Sequence, residues 1–364
     1  MSRRRRMHVG FAAVVALIHS RFPLFRKSQR KTISALVTGL LRRGRVGLAE
    51  IARGMQDETT VRHRIKRAWR FLRNARVASR AATVGLAHWI FSSSASPAVI
   101  ALDWTALGDY MLLAAKAAVD RRAVPIAWVV VRKKWFSRAY KSRNDVEEKV
   151  IRCLAEAMGS RPWILVADRG FARADLFAKL GDWGVKYAIR TASNTWVKVR
   201  GFEGILGNIP REPGRTYRYG RARYQKRRQV PTSLVVVHKE PAPEPWYLVT
   251  SFEERLRAEQ IYRKRMWIEE SFRDAKSRLG LHRFWAAKPE RIERMMILVA
   301  LVMLVTTLVA LDYRRRHGEK DPQLTTKRKG RTLSVYSLGR ELILLYGVSP
   351  PALRRKLRPS KRRA

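Results

Sequence analysis

Four side chains suited to binding an anion or a metal ion recur at regular spacing between Ser251 and Gly280. They are Tyr262, Arg265, Glu269 and Lys276, so the last three follow the first by 3, 7 and 14 residues. At about 100° per residue of an α-helix, all four fall inside an arc of roughly 60°. One helix face would therefore present a phenol, a guanidinium, a carboxylate and an ammonium group in a row.

The ends of this stretch carry residues typical of helix caps. Ser251 precedes Glu254 by three residues, as in a capping box, and Gly280 stands where a left-handed C-terminal cap is expected. We therefore predict one continuous helix over residues 251–280. A solvated helix face with weak ion pairs, each worth roughly 0.2–0.5 kcal/mol, is the simpler explanation of its charges.

Two aspartates follow short apolar runs that are typical of buried strands. The run AVIALDWT stops at Asp103, and PWILVADRGF ends at Asp168. Aspartate at a strand end usually forms a turn or caps a helix. If the two strands are neighbours, however, the carboxylates lie side by side and repel each other without a proton or a cation. Together with Glu269 they supply three carboxylates able to hold two Mg²⁺ ions.

These motifs resemble those of a known enzyme family. The spacing on the predicted helix is similar to the Y-R-E-K signature of the insertion-sequence-four, Tn-five-like family of DDE transposases. The segments DWT and ADRGF are similar to the two acidic motifs of that family. The resemblance covers roughly residues 50–311. It implies an RNase H-like core in which Asp103, Asp168 and Glu269 are the catalytic, metal-binding triad.

The same resemblance implies DNA-binding roles for four other side chains. Tyr262, Arg265 and Lys276 would hold the DNA phosphate next to the scissile bond, Arg265 through its planar fork and Lys276 as a mobile point charge. Trp246 lies where related transposases stack a flipped base. A core tryptophan at a strand end is the alternative interpretation of Trp246.

The elements that must position these residues alternate between strands and helices. YMLLAAKAAVD and AVPIAWVVV are predicted strands and NDVEEKVIRCLAEAMG is a predicted helix, which indicates a sheet buried on both faces. Residues 191–245 are predicted to form a separate strand-rich insertion, and the resemblance implies a β-rich insertion at this place. Its alternating Arg and Tyr suit contact with DNA, although an Arg-lined sheet edge that prevents aggregation has the same pattern.

The chain is strongly basic, with 77 Lys and Arg against 29 Asp and Glu and a formal net charge of +48. Such a charge predicts a polyanionic partner, because each neutralised phosphate releases condensed counterions. Nucleic acid is the first choice and an acidic membrane surface the second. The single cysteine, Cys153, excludes an internal disulfide and a zinc site of cysteine pairs, which suits a reducing cytoplasm. The N-terminal arginines and apolar run lack a convincing signal-peptide cleavage site, so we expect no export.

A helical DNA-binding region is predicted at the N-terminus. Its third helix can form an apolar stripe from Val61, Ile65, Ala68, Trp69 and Leu72. The predicted DNA contacts around this stripe are Arg62, Arg64, Lys66, Arg67 and Arg70. The pattern suits a module similar to a helix-turn-helix, and a solvated basic helix packed on the core is the alternative.

The last part of the chain combines an apolar run with basic segments. Residues 295–311 carry no charge but are slightly shorter than the roughly 20 residues of a membrane span, so we favour a buried core helix. After Leu311 we predict a polar basic linker, a short amphipathic helix around Leu333 to Tyr346, and a basic, partly disordered tail. The resemblance suggests subunit contacts in this region.

We therefore expect an α/β protein with an RNase H-like catalytic core, a β-rich insertion within it, a helical N-terminal DNA-binding region and a basic C-terminal tail. The predicted domains are residues 1–90, 97–190, 191–245, 246–312 and 313–364. The expected function is a transposase that excises and joins an insertion sequence by phosphodiester cleavage with two Mg²⁺ or Mn²⁺ ions. Its expected partners are double-stranded DNA, as terminal repeats and target, and a second copy in a synaptic homodimer, without a membrane.

We expect such a protein in the bacterial cytoplasm, associated with the nucleoid. Three other classes of protein share some of these features. A domesticated, inactive DNA-binding protein would keep the basic surface, and a metal-dependent nuclease of the same fold would keep the carboxylates. A basic membrane-surface protein would depend on residues 295–311.

Overall fold

A computed structural model shows the fold of the chain. The structure describes residues 3–91, 97–135, 142–239, 244–252, 258–318, 333–348 and 350–353. The predicted linker after residue 318 and the predicted tail after residue 353 lie outside the described residues.

A ten-stranded mixed sheet forms the framework of the protein. Its strands are β1 (Ala98–Leu107), β2 (Tyr110–Val119), β3 (Arg122–Arg132), β4 (Trp163–Ala167), β5 (Lys186–Thr191), β6 (Trp196–Val199), β7 (Phe202–Ile205), β8 (Thr216–Tyr224), β9 (Val230–Val237) and β10 (Trp246–Thr250). The strands that the apolar runs predicted before residue 191 are confirmed. All five residues of β4 are buried, as expected for a strand covered on both faces.

The strands lie in the order β3-β2-β1-β4-β5-β10-β9-β8-β6-β7. β1 pairs antiparallel with β2 and β2 antiparallel with β3, whereas β1, β4 and β5 run parallel. The order β3-β2-β1-β4-β5 with these directions is consistent with an RNase H-like transposase core. Parallel neighbours require crossover connections, and the helices between β3 and β5 provide them.

The strands of residues 191–245 are not separate from the core, contrary to our prediction. β10 pairs antiparallel with β5 on one side and with β9 on the other, so β6 to β9 extend the core sheet. The predicted hairpin is present as β8 and β9, which pair antiparallel. Unpaired edge strands are unfavourable, and β10 joins the edge of the insertion to the edge of the core.

Helices cover the sheet and form the N-terminal region. They are α1 (Arg3–Arg21), α2 (Lys27–Arg43), α3 (Leu48–Gly54), α4 (Val61–Arg73), α5 (Ser79–Phe91), α6 (Arg143–Met158), α7 (Ala174–Asp182), α8 (Ala258–Arg263), α9 (Met266–Arg273), α10 (Pro289–His317), α11 (Val335–Tyr346) and α12 (Pro350–Leu353). Successive residues of a strand point to opposite faces. Trp104 of β1 contacts Glu147 of α6, whereas its neighbour Asp103 contacts Arg265 at the start of α9. Helices α6 and α9 therefore lie on opposite faces.

The apolar run at residues 295–311 belongs to α10, which packs on β3, α2, α5 and α11. By length and composition alone, α10 is long and apolar enough to cross a membrane, but its apolar window is completely buried inside the fold. The helix also continues to His317, beyond the point where we predicted a linker. Its last turn carries Arg314, Arg315 and Arg316, which favour a helix C-terminus because of the helix dipole.

The helix predicted over residues 251–280 is interrupted. Ser251 accepts a hydrogen bond from the Tyr187 backbone rather than capping a helix, and its predicted partner Glu254 lies outside the described residues. Helix α8 ends at Arg263, α9 begins at Met266, and Asp274–Arg278 form a π-helical segment. Gly280, at φ +77°, does end the segment in the left-handed conformation expected of it.

Candidate active site

Sheet pairing brings Asp103 and Asp168 together. Leu102 of β1 is aligned with Ala167 of β4 in a parallel pair, so Asp103 and Asp168 each follow one member of this pair, on chain segments whose strands are spaced about 5 Å apart. Asp168 comes directly after β4, as predicted, but Asp103 lies inside β1, which continues to Leu107. The Oδ1 atom of Asp168 also accepts a hydrogen bond from the Gly170 backbone N–H at 2.9 Å, so Asp168 caps the following turn as well.

Arg265 joins Asp103 to Glu269. The Nη1 atom lies 3.2 Å from Asp103 Oδ2, and the Nη2 atom lies 2.9 Å from Glu269 Oε1. This contact depends on the break between α8 and α9, because Arg265 stands in the connecting turn and points to the face that carries Asp103. The guanidinium therefore lies between two members of the predicted triad.

The electrostatics of Asp103 show how crowded this region is. The pKa of Asp103 is raised to about 6, mainly by burial and also by the charges of Asp168 and Glu269, whereas the charge of Arg265 lowers it. A carboxylate that is both desolvated and close to like charges gains from any nearby cation. Arg265 supplies that positive charge in this structure.

The carboxylates suit a hard divalent cation chemically, since Mg²⁺ prefers oxygen ligands. Their geometry leaves them apart: among the described residues, no three His, Cys, Asp or Glu side chains lie close enough to hold a metal ion. Arg265 occupies the position between Asp103 and Glu269 where a shared ion would be bound. Movement of this one side chain is thus needed before Glu269 can share an ion with the aspartates.

Tyr262 and Trp246 pack together next to Arg265. Their ring centroids are 5.3 Å apart with an interplanar angle of 72°, which is an edge-to-face contact. Burial raises the pKa of the Tyr262 phenol, and the charge of Arg265 opposes that shift. The phenol is therefore neutral at physiological pH. Trp246 is only half-buried, so part of its ring remains accessible for stacking.

Lys276 is less closely associated with this group than a straight helix would predict. It lies in the π-helical segment, where each turn holds more residues than an α-turn, so the α-helical spacing that predicted a shared face with Glu269 does not apply there. Burial lowers the pKa of its ammonium group, and its charge acts on Lys116 of β2. The structure therefore brings together five of the six predicted site residues and Trp246 around Arg265, with Lys276 to one side.

The predicted DNA-binding residues of α4 fall into two groups. Arg64 and Arg67 both bind Asp57, at 2.7 Å and 3.2 Å, and their side chains are largely covered. The other predicted contacts are exposed, and they are Arg62, Lys66 and Arg70. The apolar stripe needs correction too, since Val61 and Trp69 are exposed and Phe71 takes their place in the core.

The covered and exposed residues of α4 differ because α4 packs against α3 and α10 on one side. Trp69 is 42 % exposed, and the Arg73 guanidinium carbon lies 4.2 Å from its ring centroid, a cation–π contact. Helices α3 and α4 pack against each other and are connected by residues 55–60. One face of α4 is thus basic and accessible, and the other is fixed by Asp57 and the core.

The family model for the transposase DDE domain matches residues 97–305, which include both aspartates, Glu269 and the insertion. This chain belongs to that family. DDE transposases act on DNA and generally depend on divalent metal ions. No curated protein matches the chain.

Sequence patterns did not identify two groups of residues around the site. On the α6 face, the buried Glu147 accepts from Trp104 Nε1 at 2.9 Å and pairs with Arg173, which fixes the strand segment next to Asp103. On the opposite face, Lys116 is fully buried. The signal for Lys116 was present, because it is the only charged residue in the apolar run YMLLAAKAAV.

Proposed function

We propose that this transposase belongs to the insertion-sequence-four family and excises and joins its element through Asp103, Asp168 and Glu269. The observation that carries the proposal is that Arg265 pairs with both Asp103 and Glu269, and that Asp168 follows the strand paired with β1, within a chain of the DDE family. When bound, two Mg²⁺ or Mn²⁺ ions would activate water and then a DNA 3′-hydroxyl for in-line attack on phosphodiester bonds. Asp103, Asp168 and Glu269 would hold these ions through their carboxylate oxygens.

The remaining side chains of the site position DNA. Arg265 has a planar fork that suits two oxygens of one phosphate, and its buried Nε has no hydrogen-bond partner in the described structure. Tyr262 and Lys276 bind the same part of the backbone, Tyr262 as a neutral hydroxyl donor and Lys276 as a cation. Trp246 stacks on an unpaired base, supported by its edge-to-face contact with Tyr262.

The proposed partners follow from the charge distribution and the family. Arg62, Lys66 and Arg70 contact the terminal repeat from α4, and Arg64 and Arg67 support that helix through Asp57. The active complex is a synaptic homodimer on double-stranded DNA. A cytoplasmic, nucleoid-associated location without a membrane agrees with the net charge of +48.

Single replacements of the three carboxylates test the proposal. Asp103→Ala, Asp168→Ala and Glu269→Ala should each abolish metal-dependent cleavage and joining of a duplex carrying the element's end, with DNA affinity retained in gel shifts. Asp175→Ala is a suitable control because Asp175 lies on α7 and pairs with Arg228. Normal cleavage by Asp168→Ala would show that the metal site is wrongly assigned.

A further inference from the structure

A lysine is completely enclosed beneath the candidate active site. Lys116 lies on β2, is 0 % exposed, and is aligned with Ala101 of β1, two residues before Asp103. Cross-strand partners point to the same face of a sheet, and residues two apart on a strand share a face. Lys116 therefore points to the face that carries Asp103. Lysine is almost never fully buried unless it is paired.

The contacts of this amino group are made with helix α9. Its Nζ donates to Ser271 Oγ at 3.1 Å and lies 3.3 Å from the centroid of the Phe272 ring. Ser271 is 0 % exposed, so this bond is shielded from water. The bond therefore connects the sheet directly to the helix that carries Glu269.

Burial of the charged form of Lys116 is energetically unfavourable because the ammonium group loses its hydration. Burial lowers the pKa of the Lys116 amine well below its usual value, although the Asp103 and Asp274 carboxylates act in the opposite direction. Asp274 is itself paired with Arg122 and Arg278. A methionine would fill a similar volume without desolvating an amine, so packing alone gives no reason for a lysine at this position.

The position of Ser271 on α9 shows what the bond can do. Ser271 follows Glu269 by two residues, or about 200° around the helix, so it faces the sheet while Glu269 faces the cleft. The segment after α9 is π-helical and does not continue its regular hydrogen bonding. A fixed contact at Ser271 therefore limits rotation of α9 and sliding of Glu269 relative to Asp103.

We propose that Lys116 is a positioning residue for the transposase reaction, and that its bond to Ser271 sets the rotation of α9 and the approach of Glu269 to the two aspartates. This inference rests on the proposed function. Groups that orient a metal ligand typically contribute 10–100-fold to metal affinity or activity, about the size of effect expected here.

Lys116→Met separates positioning from a purely structural role. Removing a buried amine should leave the melting temperature unchanged or higher. Mn²⁺ affinity of the full chain, measured by calorimetry, and Mg²⁺-dependent cleavage of end DNA should both fall about tenfold or more. Ser271→Ala should cause a similar fall, and the double variant should fall no further, because both changes remove the same bond.

Two references make the outcome unambiguous. Lys179→Met removes a surface lysine paired with Glu148 and should match the wild type in every measurement. If the wild-type protein, like Glu269→Ala, does not cleave end DNA, the proposed function is wrong. The Mn²⁺ affinities would still decide the role of Lys116. Wild-type Mn²⁺ affinity in both Lys116→Met and Ser271→Ala would overturn the inference, as would a parallel loss of melting temperature and affinity.

Discussion

Arg265 and Asp103 form an ion pair at the centre of the candidate site, with Nη1 3.2 Å from Oδ2. The other arm of the same guanidinium reaches Glu269 at 2.9 Å. A positive charge at this point relieves the repulsion among carboxylates that burial has brought together. A divalent cation would relieve the same repulsion. Arg265 and a metal ion therefore compete for Asp103, and a DNA phosphate that attracts Arg265 would favour metal binding.

Replacement of Arg265 should reveal this competition. In the protein without DNA, Arg265→Ala should bind Mn²⁺ about tenfold more tightly than wild type, because a competing cation within 4 Å of two proposed metal ligands has been removed. Cleavage of end DNA should nevertheless fall, since the phosphate loses its planar partner. Calorimetric titration with Mn²⁺ measures the first effect and mapping of nicks the second.

The appropriate control is Arg273→Ala on the same helix. Among the described residues Arg273 pairs with Glu270, and it is mostly exposed, so its removal should leave Mn²⁺ affinity at the wild-type value. Weaker Mn²⁺ binding by Arg265→Ala than by wild type would show that Arg265 supports the metal site instead of competing with it.

The two groups of basic residues on α4 should respond differently to replacement. Lys66→Ala removes an exposed cation, so it should weaken DNA binding, reduce the salt slope of binding by about 1, and change stability by less than about 0.5 kcal/mol. Arg64→Ala removes bonds to Asp57 and to Met55 O and should destabilise the protein by about 2 kcal/mol. Gel shifts over a salt series and urea unfolding separate the two effects.

Asp57→Asn serves as the reference for the structural group. It should destabilise the protein as Arg64→Ala does, because it weakens the same ion pairs, without removing a cation from the DNA-binding face. A salt slope reduced by Arg64→Ala but not by Lys66→Ala would reverse the assignment of the two residues.

Much of the core was predictable because strand periodicity and apolar runs can be read from residues that are close together in the sequence. The runs before Asp103 and Asp168 predicted two strands, and parallel pairing of β1 with β4 then brings the carboxylates together. The end of β1 was not predictable in this way. Trp104 continues the strand because Glu147 and α6 cover its other face, which is a long-range contact.

The interrupted helix around Arg265 shows a second limit of sequence patterns. Spacing predicted a single face for Tyr262, Arg265, Glu269 and Lys276, but no proline or glycine marks the break between α8 and α9. The break is associated with tertiary contacts of Arg265 with Asp103. Likewise, the fold and not the sequence shows that Asp57 binds two of the predicted DNA contacts, Arg64 and Arg67.

Stability should depend on pH through Glu293 near the start of α10. Its Oε1 accepts from Val130 N at 2.9 Å, and burial raises its pKa to about 7. The folded protein therefore holds this proton more tightly than the unfolded chain does. The corresponding stability is fully present below about pH 4.5 and is lost as the pH rises to about 7, by about 3 kcal/mol in total.

Glu293→Gln isolates this contribution, since glutamine can keep the bond from Val130 but cannot ionise. Urea unfolding from pH 5 to 8 should show a smaller decrease of stability with pH in Glu293→Gln and a more stable variant at pH 8. Glu203→Gln, at an exposed pair with Lys198, should keep the wild-type pH dependence. A pH dependence unchanged in Glu293→Gln would mean that Glu293 ionises as freely in the folded protein as in the unfolded chain.

The position of Lys276 separates a transposase from a plain nuclease of the same fold. Lys276 follows Glu269 by seven residues and lies beyond the end of α9, in the π-helical segment, so we expect it to contact a phosphate beside the scissile bond and not to bind the same ion. Lys276→Ala should therefore keep DNA and Mn²⁺ binding and lose cleavage and strand joining about a hundredfold, because a misplaced phosphate reacts slowly. A nuclease that relies on its carboxylates should depend far less on this side chain.

The comparison requires Lys276→Ala, Arg265→Ala and Glu269→Ala on one end-containing duplex, with cleavage and joining measured separately. Glu269→Ala defines complete loss of chemistry, and Arg273→Ala controls for removal of a positive charge from α9. Lys276→Arg should recover part of the lost joining, because it restores the charge although not the point geometry of the ammonium. Near-normal cleavage and joining by both Lys276→Ala and Arg265→Ala would leave a metal-dependent nuclease as the function of this fold, since neither cation would then be positioning the phosphate.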